Sequence, residues 1–209
     1  MRALILIDLQ NDFVPGGALA VIDGDQTIPV ANRLSALKGK KFDYVVLTQD
    51  WHPVSHGSFA SNNPGKKMGE LGTLGGLPQV MWPNHCVANT TGADFVSELD
   101  QSNVDHVTRK GTDPAIDSYS GFFDNGHLKE TDLASYLKSK KVDEVVLMGL
   151  ATDYCVKFTA LDAVQLGFKT TLVEDGCRGV NLQPGDSLAA IEDMSAAGVK
   201  IVKSEELLK

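Results

Sequence analysis

The chain has 209 residues, enough for one ordinary α/β domain with a substantial apolar core. Its formal net charge of -8 at pH 7 disfavours binding to nucleic acid or anionic lipid and favours a small-molecule partner. No apolar run is long enough for a bilayer span or a secretory signal, and the three scattered cysteines do not resemble a disulfide framework, so we expect a cytoplasmic protein.

Short apolar runs rich in Val, Ile and Leu recur along the chain and are typical of buried strands. Helical patterns lie between most of them, and the clearest covers residues 155–166 and ends at Gly167. This alternation predicts an α/β three-layer sandwich, with a central, mostly parallel six-stranded sheet and helices on both faces. The predicted strands are residues 2–7, 44–48, 104–109, 144–150, 168–173 and 199–202.

Residues 51–91 interrupt the alternation, because Gly, Pro, Asn and Ser dominate there and no helical or strand period is sustained. We predict a loop insertion within a single domain that spans residues 1–209. Loops of this length in compact domains are usually functional or disordered, and the Trp and His residues favour a functional loop.

Four reactive side chains follow predicted strands: Asp8, Asp50, Lys110 and Cys155. In an open parallel sheet, ligands bind beyond the carboxyl ends of the strands. We therefore expect these four side chains to converge on one edge of the sheet.

Cys155 is the candidate nucleophile. Its thiol is predicted in a first helical turn, capped by Thr152 or Asp153, where the helix dipole favours a thiolate. A free cysteine is more often a buried apolar residue, but the position after a strand favours chemistry. Asp8 could accept the proton of the Cys155 thiol, or it could only cap a turn. Lys110 could stabilise the Asp8 carboxylate and a Cys155 thiolate, or it could be a solvated charge.

A candidate metal site lies in the long loop. Asp50 and His52 are one residue apart, so both can point to the same side of an extended segment, and His85 offers a third ligand. Two histidines and a carboxylate suit a divalent metal with open coordination positions. His56 could be a further ligand, and the histidines could instead bond only the loop backbone. Aromatic side chains in predicted loops could wall a flat ring or only anchor the loops: Phe13, Trp51, Trp82 and Tyr119.

Five separated motifs cover nearly the whole chain. They are ALILIDLQNDF at residues 3–13, DWHP at 50–53, WPNHCV at 82–87, KG at 110–111 and GLATDYCV at 149–156. Together, and in this order, they resemble the motifs of nicotinamidases and pyrazinamidases in the isochorismatase-like family of cysteine hydrolases.

The resemblance implies an isochorismatase-like fold with one divalent metal ion, zinc first, with iron or manganese as alternatives. It also implies a cis peptide bond at Leu150–Ala151, next to an oxyanion hole formed by the N–H groups of Ala151 and Cys155. The implied catalytic triad is Asp8, Lys110 and Cys155. The implied metal ligands are Asp50, His52 and His85. The implied substrate-binding residues are Phe13, Trp82, Tyr119, Ala151 and Tyr154.

The implied reaction is hydrolysis of nicotinamide to nicotinate and ammonia through a thioester, as part of NAD salvage, with pyrazinamide as a further substrate. A different small amide, hydrolysed by the same fold, is the nearest alternative. A non-catalytic metal-binding or ligand-binding protein is the alternative from another class, because a fold alone does not establish chemistry. Related amidases and isochorismatases generally lack the Asp-His-His set, which is present here. A homo-oligomer is left open.

Overall fold

The computed structural model describes residues 1–209 and contains eight strands. These are β1 (Arg2–Ile7), β2 (Tyr44–Asp50), β3 (Leu71–Leu74), β4 (Leu77–Val80), β5 (His106–Lys110), β6 (Glu144–Leu150), β7 (Lys169–Arg178) and β8 (Lys200–Val202). Six of them form one sheet in the order β5-β2-β1-β6-β7-β8, and every pairing in that sheet is parallel. The predicted central sheet is therefore confirmed.

Five α-helices accompany the sheet: α1 (Thr27–Ser35), α2 (Leu133–Ser139), α3 (Lys157–Gln165), α4 (Asp186–Ala196) and α5 (Ser204–Leu208). Helix α1 packs with α5, and α3 packs with α4. Successive residues of β1, β2 and β6 are buried after the first of each strand, so both faces of the sheet are covered. No helix combines the length and the apolar character needed to span a bilayer.

Four strands differ from their predicted bounds: β2 continues past Thr48 to Asp50, β8 begins at Lys200 instead of residue 199, and β5 and β7 also differ. β5 begins at His106 instead of residue 104, and β7 continues past Val173 to Arg178. β7 is longer because the β6–β7 register shifts between Leu147 and Gly149, after which pairing resumes.

The prediction that residues 51–91 contain no strand is wrong at one place. β3 and β4 form an antiparallel hairpin within this segment. Gly75 and Gly76, with φ of 59° and 79°, make its two-residue turn, and a Gly-Gly pair is typical of such turns. The strands are short, and all their residues but one are exposed or half-buried, so they show little of the apolar alternation that identifies a buried strand.

Candidate active site and metal site

Lys110, at the end of β5, is 1 % exposed and forms the centre of a charged cluster. Its ammonium lies 2.9 Å from Asp8 Oδ2, 2.5 Å from Asp50 Oδ1 and 3.3 Å from Cys155 Sγ, and it also donates to the Ser118 carbonyl at 3.1 Å. The interpretation as a solvated charge is therefore wrong. The four residues that follow predicted strands lie together at one edge of the sheet.

Asp8 is fully buried directly after β1, with a left-handed φ of 50°. Thr48 on the neighbouring β2 donates its hydroxyl to Asp8 Oδ1 at 2.5 Å and accepts the Asp8 N–H at 3.2 Å. Burial raises the pKa of the Asp8 carboxyl, although the nearby Lys110 ammonium and the Thr48 hydrogen bond oppose this rise. A carboxylate with a raised pKa is a better proton acceptor than an exposed one.

Cys155 lies in a π-helical turn, Thr152–Val156, that joins β6 to α3. The predicted cap is wrong, because Ala151, in extended conformation, occupies the N-cap position and no side chain caps the turn. Burial also opposes the thiolate that the helical position favours. Burial raises the pKa of the Cys155 thiol well above its usual value, and the Lys110 ammonium offsets this only in part. The Leu150–Ala151 peptide bond is cis.

The ligand atoms of Asp50, His52 and His85 lie within 4.8 Å of one another. His52 Nδ1 donates to the Gly111 carbonyl and His85 Nδ1 donates to the Pro83 carbonyl, each at 2.8 Å. The Nε2 atoms of both rings face the Asp50 carboxylate, at 3.6 Å and 3.8 Å from its Oδ2. This donor set fits a divalent cation.

Burial lowers the pKa of His52, but the Asp50 carboxylate outweighs burial and raises it, so a bound cation would replace the His52 proton. The pKa shifts of Asp50 and His85 suit a metal directly. Burial raises the pKa of Asp50, but the charges of Lys110 and His52 outweigh it and hold this pKa below its usual range. Burial and, to a smaller extent, the neighbouring His52 lower the pKa of His85 to about 4. An ionised carboxylate and a neutral imidazole are the forms that bind metals.

His56 lies beside this group, with its ring centroid 4.3 Å from that of His52. Its Nδ1 is 2.7 Å from Ser58 Oγ, and its buried Nε2 has no hydrogen-bond partner. His52, His56 and Asp117 form a second set of potential ligand atoms within 4.8 Å of one another. Sequence reasoning missed Asp117, since it lies within a connection and not at the end of a strand.

A cavity that is open to solvent adjoins Cys155 and the potential metal ligands. Its wall contains all five predicted substrate-binding residues and three that sequence reasoning missed, Leu19, Asp117 and Val180. Val180 comes soon after β7, so inspection of every strand end could have found it. Trp51 is absent from the wall, and its ring instead packs under the Arg109 guanidinium at 3.9 Å.

Three aromatic side chains shape this cavity. Trp82 Nε1 donates to the Tyr119 hydroxyl at 3.1 Å. The Tyr154 ring stands edge-on to Trp82 and to Tyr119, with centroid distances of 4.9 Å and 5.3 Å. A rigid aromatic wall beside a nucleophile suits a small flat substrate.

Comparison with known proteins agrees with this geometry. A family model described as isochorismatase domain matches residues 2–206. A nicotinamidase of Escherichia coli is 54 % identical over 200 residues, which are 96 % of this chain and 93 % of that protein. The structure of an Acinetobacter baumanii nicotinamidase and pyrazinamidase superimposes with a TM-score of 0.94 at 45 % identity, covering 99 % of this chain and 97 % of the other.

A pyrazinamidase of Pyrococcus horikoshii, solved in complex with zinc, superimposes with a TM-score of 0.77 at 40 % identity, covering 97 % of this chain and 98 % of that one. Both structures align over almost the full length of this chain, as does the family model. The chain therefore belongs to the isochorismatase family.

Proposed function

We propose that this protein is a metal-containing cysteine amidohydrolase that converts nicotinamide to nicotinate and ammonia, in NAD salvage, and that also hydrolyses pyrazinamide. One observation carries the proposal: the buried Lys110 ammonium contacts Asp8, Asp50 and Cys155 at once, beside a cavity lined by aromatic side chains. The names of the relatives support the substrate. No feature of the site favours the non-catalytic alternative, because every reactive group has a partner suited to catalysis.

The reaction begins from a neutral thiol. As Cys155 Sγ attacks the carboxamide carbon and the new C–S bond forms, Asp8 accepts the thiol proton. The carbonyl oxygen becomes an oxyanion, to which the N–H groups of Ala151 and Cys155 donate. Loss of one such donor typically costs on the order of 100-fold or more in rate.

Asp8 then returns the proton to the amide nitrogen as the C–N bond breaks, and ammonia leaves. Water adds to the thioester carbon while Asp8 accepts one of its protons. The C–S bond breaks and the proton on Asp8 returns to the Cys155 sulfur. The product leaves as the carboxylic acid, which loses its proton to solvent to give nicotinate.

Lys110 stays charged throughout this cycle. Burial opposes its charge, but the carboxylates of Asp50 and Asp8 raise the pKa of the ammonium well above its usual value. Lys110 thus favours the ionised form of Asp8 and stabilises negative charge at Cys155 Sγ.

Asp50, His52 and His85 would hold the metal, with zinc proposed because a structural relative was solved in complex with zinc. The same ligands also suit iron or manganese. When bound, the cation supplies a Lewis-acid contact for an aromatic ring nitrogen. Phe13 and Trp82 would then enclose the ring.

The test is to incubate the purified protein with nicotinamide and to measure ammonia and nicotinate. We expect turnover by the parent, and its loss in Cys155→Ala and His52→Ala. His106→Ala is a matched control, because this histidine pairs with Asp132, outside the cavity, and should keep full activity. Turnover that survives Cys155→Ala would exclude the covalent mechanism, and no turnover by the metal-loaded parent would favour a different amide.

A further inference from the structure

Asp153 joins two connections that both border the cavity. It lies in the π-helical turn, two residues before Cys155, and is half-buried. Its Oδ1 accepts the N–H of Val180 at 2.9 Å, and its Oδ2 accepts the N–H of Asn181 at 2.7 Å. The carboxylate therefore ties the turn that carries the nucleophile to the segment that follows β7.

That segment has no sheet to hold it. β7 ends at Arg178, so Val180 and Asn181 lie beyond the last β6–β7 pair, and their N–H groups bond only to Asp153. Bonds from a carboxylate to backbone N–H groups are stronger than those between neutral groups. The position of this backbone therefore depends on Asp153.

The segment is also closely fitted to the start of α4. A Cβ atom on Gly179 would clash with Ser187 Oγ and would lie 3.1 Å from Asp153 Oδ1, so a larger residue there would displace the Ser187 side chain. Asn181 adopts a left-handed φ of 51° and accepts the Ser187 N–H at 3.0 Å. Val180 is thus held from both sides.

Val180 is part of the cavity wall. We infer that Asp153 is a positioning residue that fixes Val180 against the substrate ring and so helps determine which ring amides fit, an inference that rests on the proposed nicotinamide hydrolysis. Asp153 makes no hydrogen bond to Asp8, Lys110 or the Cys155 thiol. Its loss should therefore weaken substrate binding more than it slows the chemical steps.

The kinetic test compares Asp153→Ala with Asp153→Asn and the parent. We expect Asp153→Ala to raise KM for nicotinamide about tenfold while kcat changes by less than about threefold. The KM of Asp153→Asn should lie between those of the parent and Asp153→Ala, because the amide keeps one oxygen acceptor but turns an NH₂ group towards the second N–H. Discrimination against ring-methylated nicotinamides should also weaken in Asp153→Ala. A fall in kcat at unchanged KM would overturn the inference.

Asp186→Ala is the matched control. The Asp186 carboxylate accepts the Gln183 N–H at 2.8 Å, so this variant removes the same kind of bond from the same connection, outside the cavity wall. We expect its KM to equal that of the parent. An equal rise in KM for both variants would mean that general loosening of the connection, and not the position of Val180, controls binding, and would overturn the inference.

Hydrogen exchange tests the inference without any substrate. We expect the amides of residues 180 and 181 to exchange at least about tenfold faster in Asp153→Ala, with α3 unchanged. Unchanged exchange would overturn the inference even if the parent hydrolyses nicotinamide. If exchange is faster in Asp153→Ala but the parent does not hydrolyse nicotinamide, the proposed function is refuted and the positioning role is kept.

Discussion

The side-chain amide of Gln10 bonds both backbone groups of Asp50. Gln10 Nε2 donates to the Asp50 carbonyl, and Gln10 Oε1 accepts the Asp50 N–H, each at 2.8 Å. The same Nε2 also donates to the Ala93 carbonyl at 2.8 Å. Gln10 thereby fixes the backbone at the end of β2, from which the Asp50 carboxylate reaches both Lys110 and the two histidines.

Replacement of Gln10 by Leu should weaken metal binding about 10-fold to 100-fold, the range found when groups that orient metal ligands are removed. The measurement is metal content per chain after dialysis against graded chelator concentrations. Gln49→Leu is the matched control, since the Gln49 side chain is also buried and also donates to the Ala93 carbonyl, but makes no hydrogen bond to Asp50. Equal metal loss in both variants would contradict the role of Gln10.

Replacement of Thr48 by Val should shift the acidic limb of the kcat/KM profile to higher pH by about half to one unit. Asp8 must be ionised to accept the thiol proton, and the Thr48 hydrogen bond lowers the pKa of Asp8. Without this bond the pKa rises, so activity is lost at a higher pH as the solution is acidified. Thr108→Val is the control, because the buried Thr108 hydroxyl has no partner.

Replacement of Lys110 by Met should lower the free energy of unfolding by about 3–5 kcal/mol, because it leaves buried carboxylates without their counter-charge. Cys155→Ala, in the same cluster, should change it by at most about 1 kcal/mol, since the thiol is neutral. Urea unfolding curves of the metal-free proteins would separate the two. Similar values for both variants would show that Lys110 contributes to the reaction only.

Replacement of Tyr119 by Phe should destabilise the protein by about 1–3 kcal/mol, because the buried Trp82 N–H loses its acceptor. The Tyr154 hydroxyl makes no hydrogen bond in the structure, so Tyr154→Phe should be nearly neutral. Thermal and urea unfolding would measure both. A Tyr119→Phe variant as stable as the parent would indicate that the Trp82 N–H finds another partner.

The sheet could be predicted because its strands are apolar runs of the right length separated by helical patterns. The strand ends then identified Asp8, Asp50, Lys110 and Cys155, since a parallel sheet collects its carboxyl ends at one edge. That much follows from local sequence and one topological rule.

The remaining features of the site depend on long-range packing. Thr48 meets Asp8 only because β1 and β2 pair, and Asp117 enters the cavity from the middle of a connection. The neutral thiol of Cys155 reflects burial, which the helical position alone does not reveal. Asp153 was one of two candidate helix caps, and its true partners were missed because residues 180 and 181 are 27 and 28 positions away in sequence.

The central place of β1 has a consequence for the order of folding. β1 precedes both of its neighbours along the chain, and one of them, β6, ends only at Leu150. Until that strand emerges, one edge of β1 has no partner, and Asp8 cannot meet Cys155. The site can therefore form only after β6 has been synthesised, and a nascent chain that ends before this strand carries an apolar edge open to association.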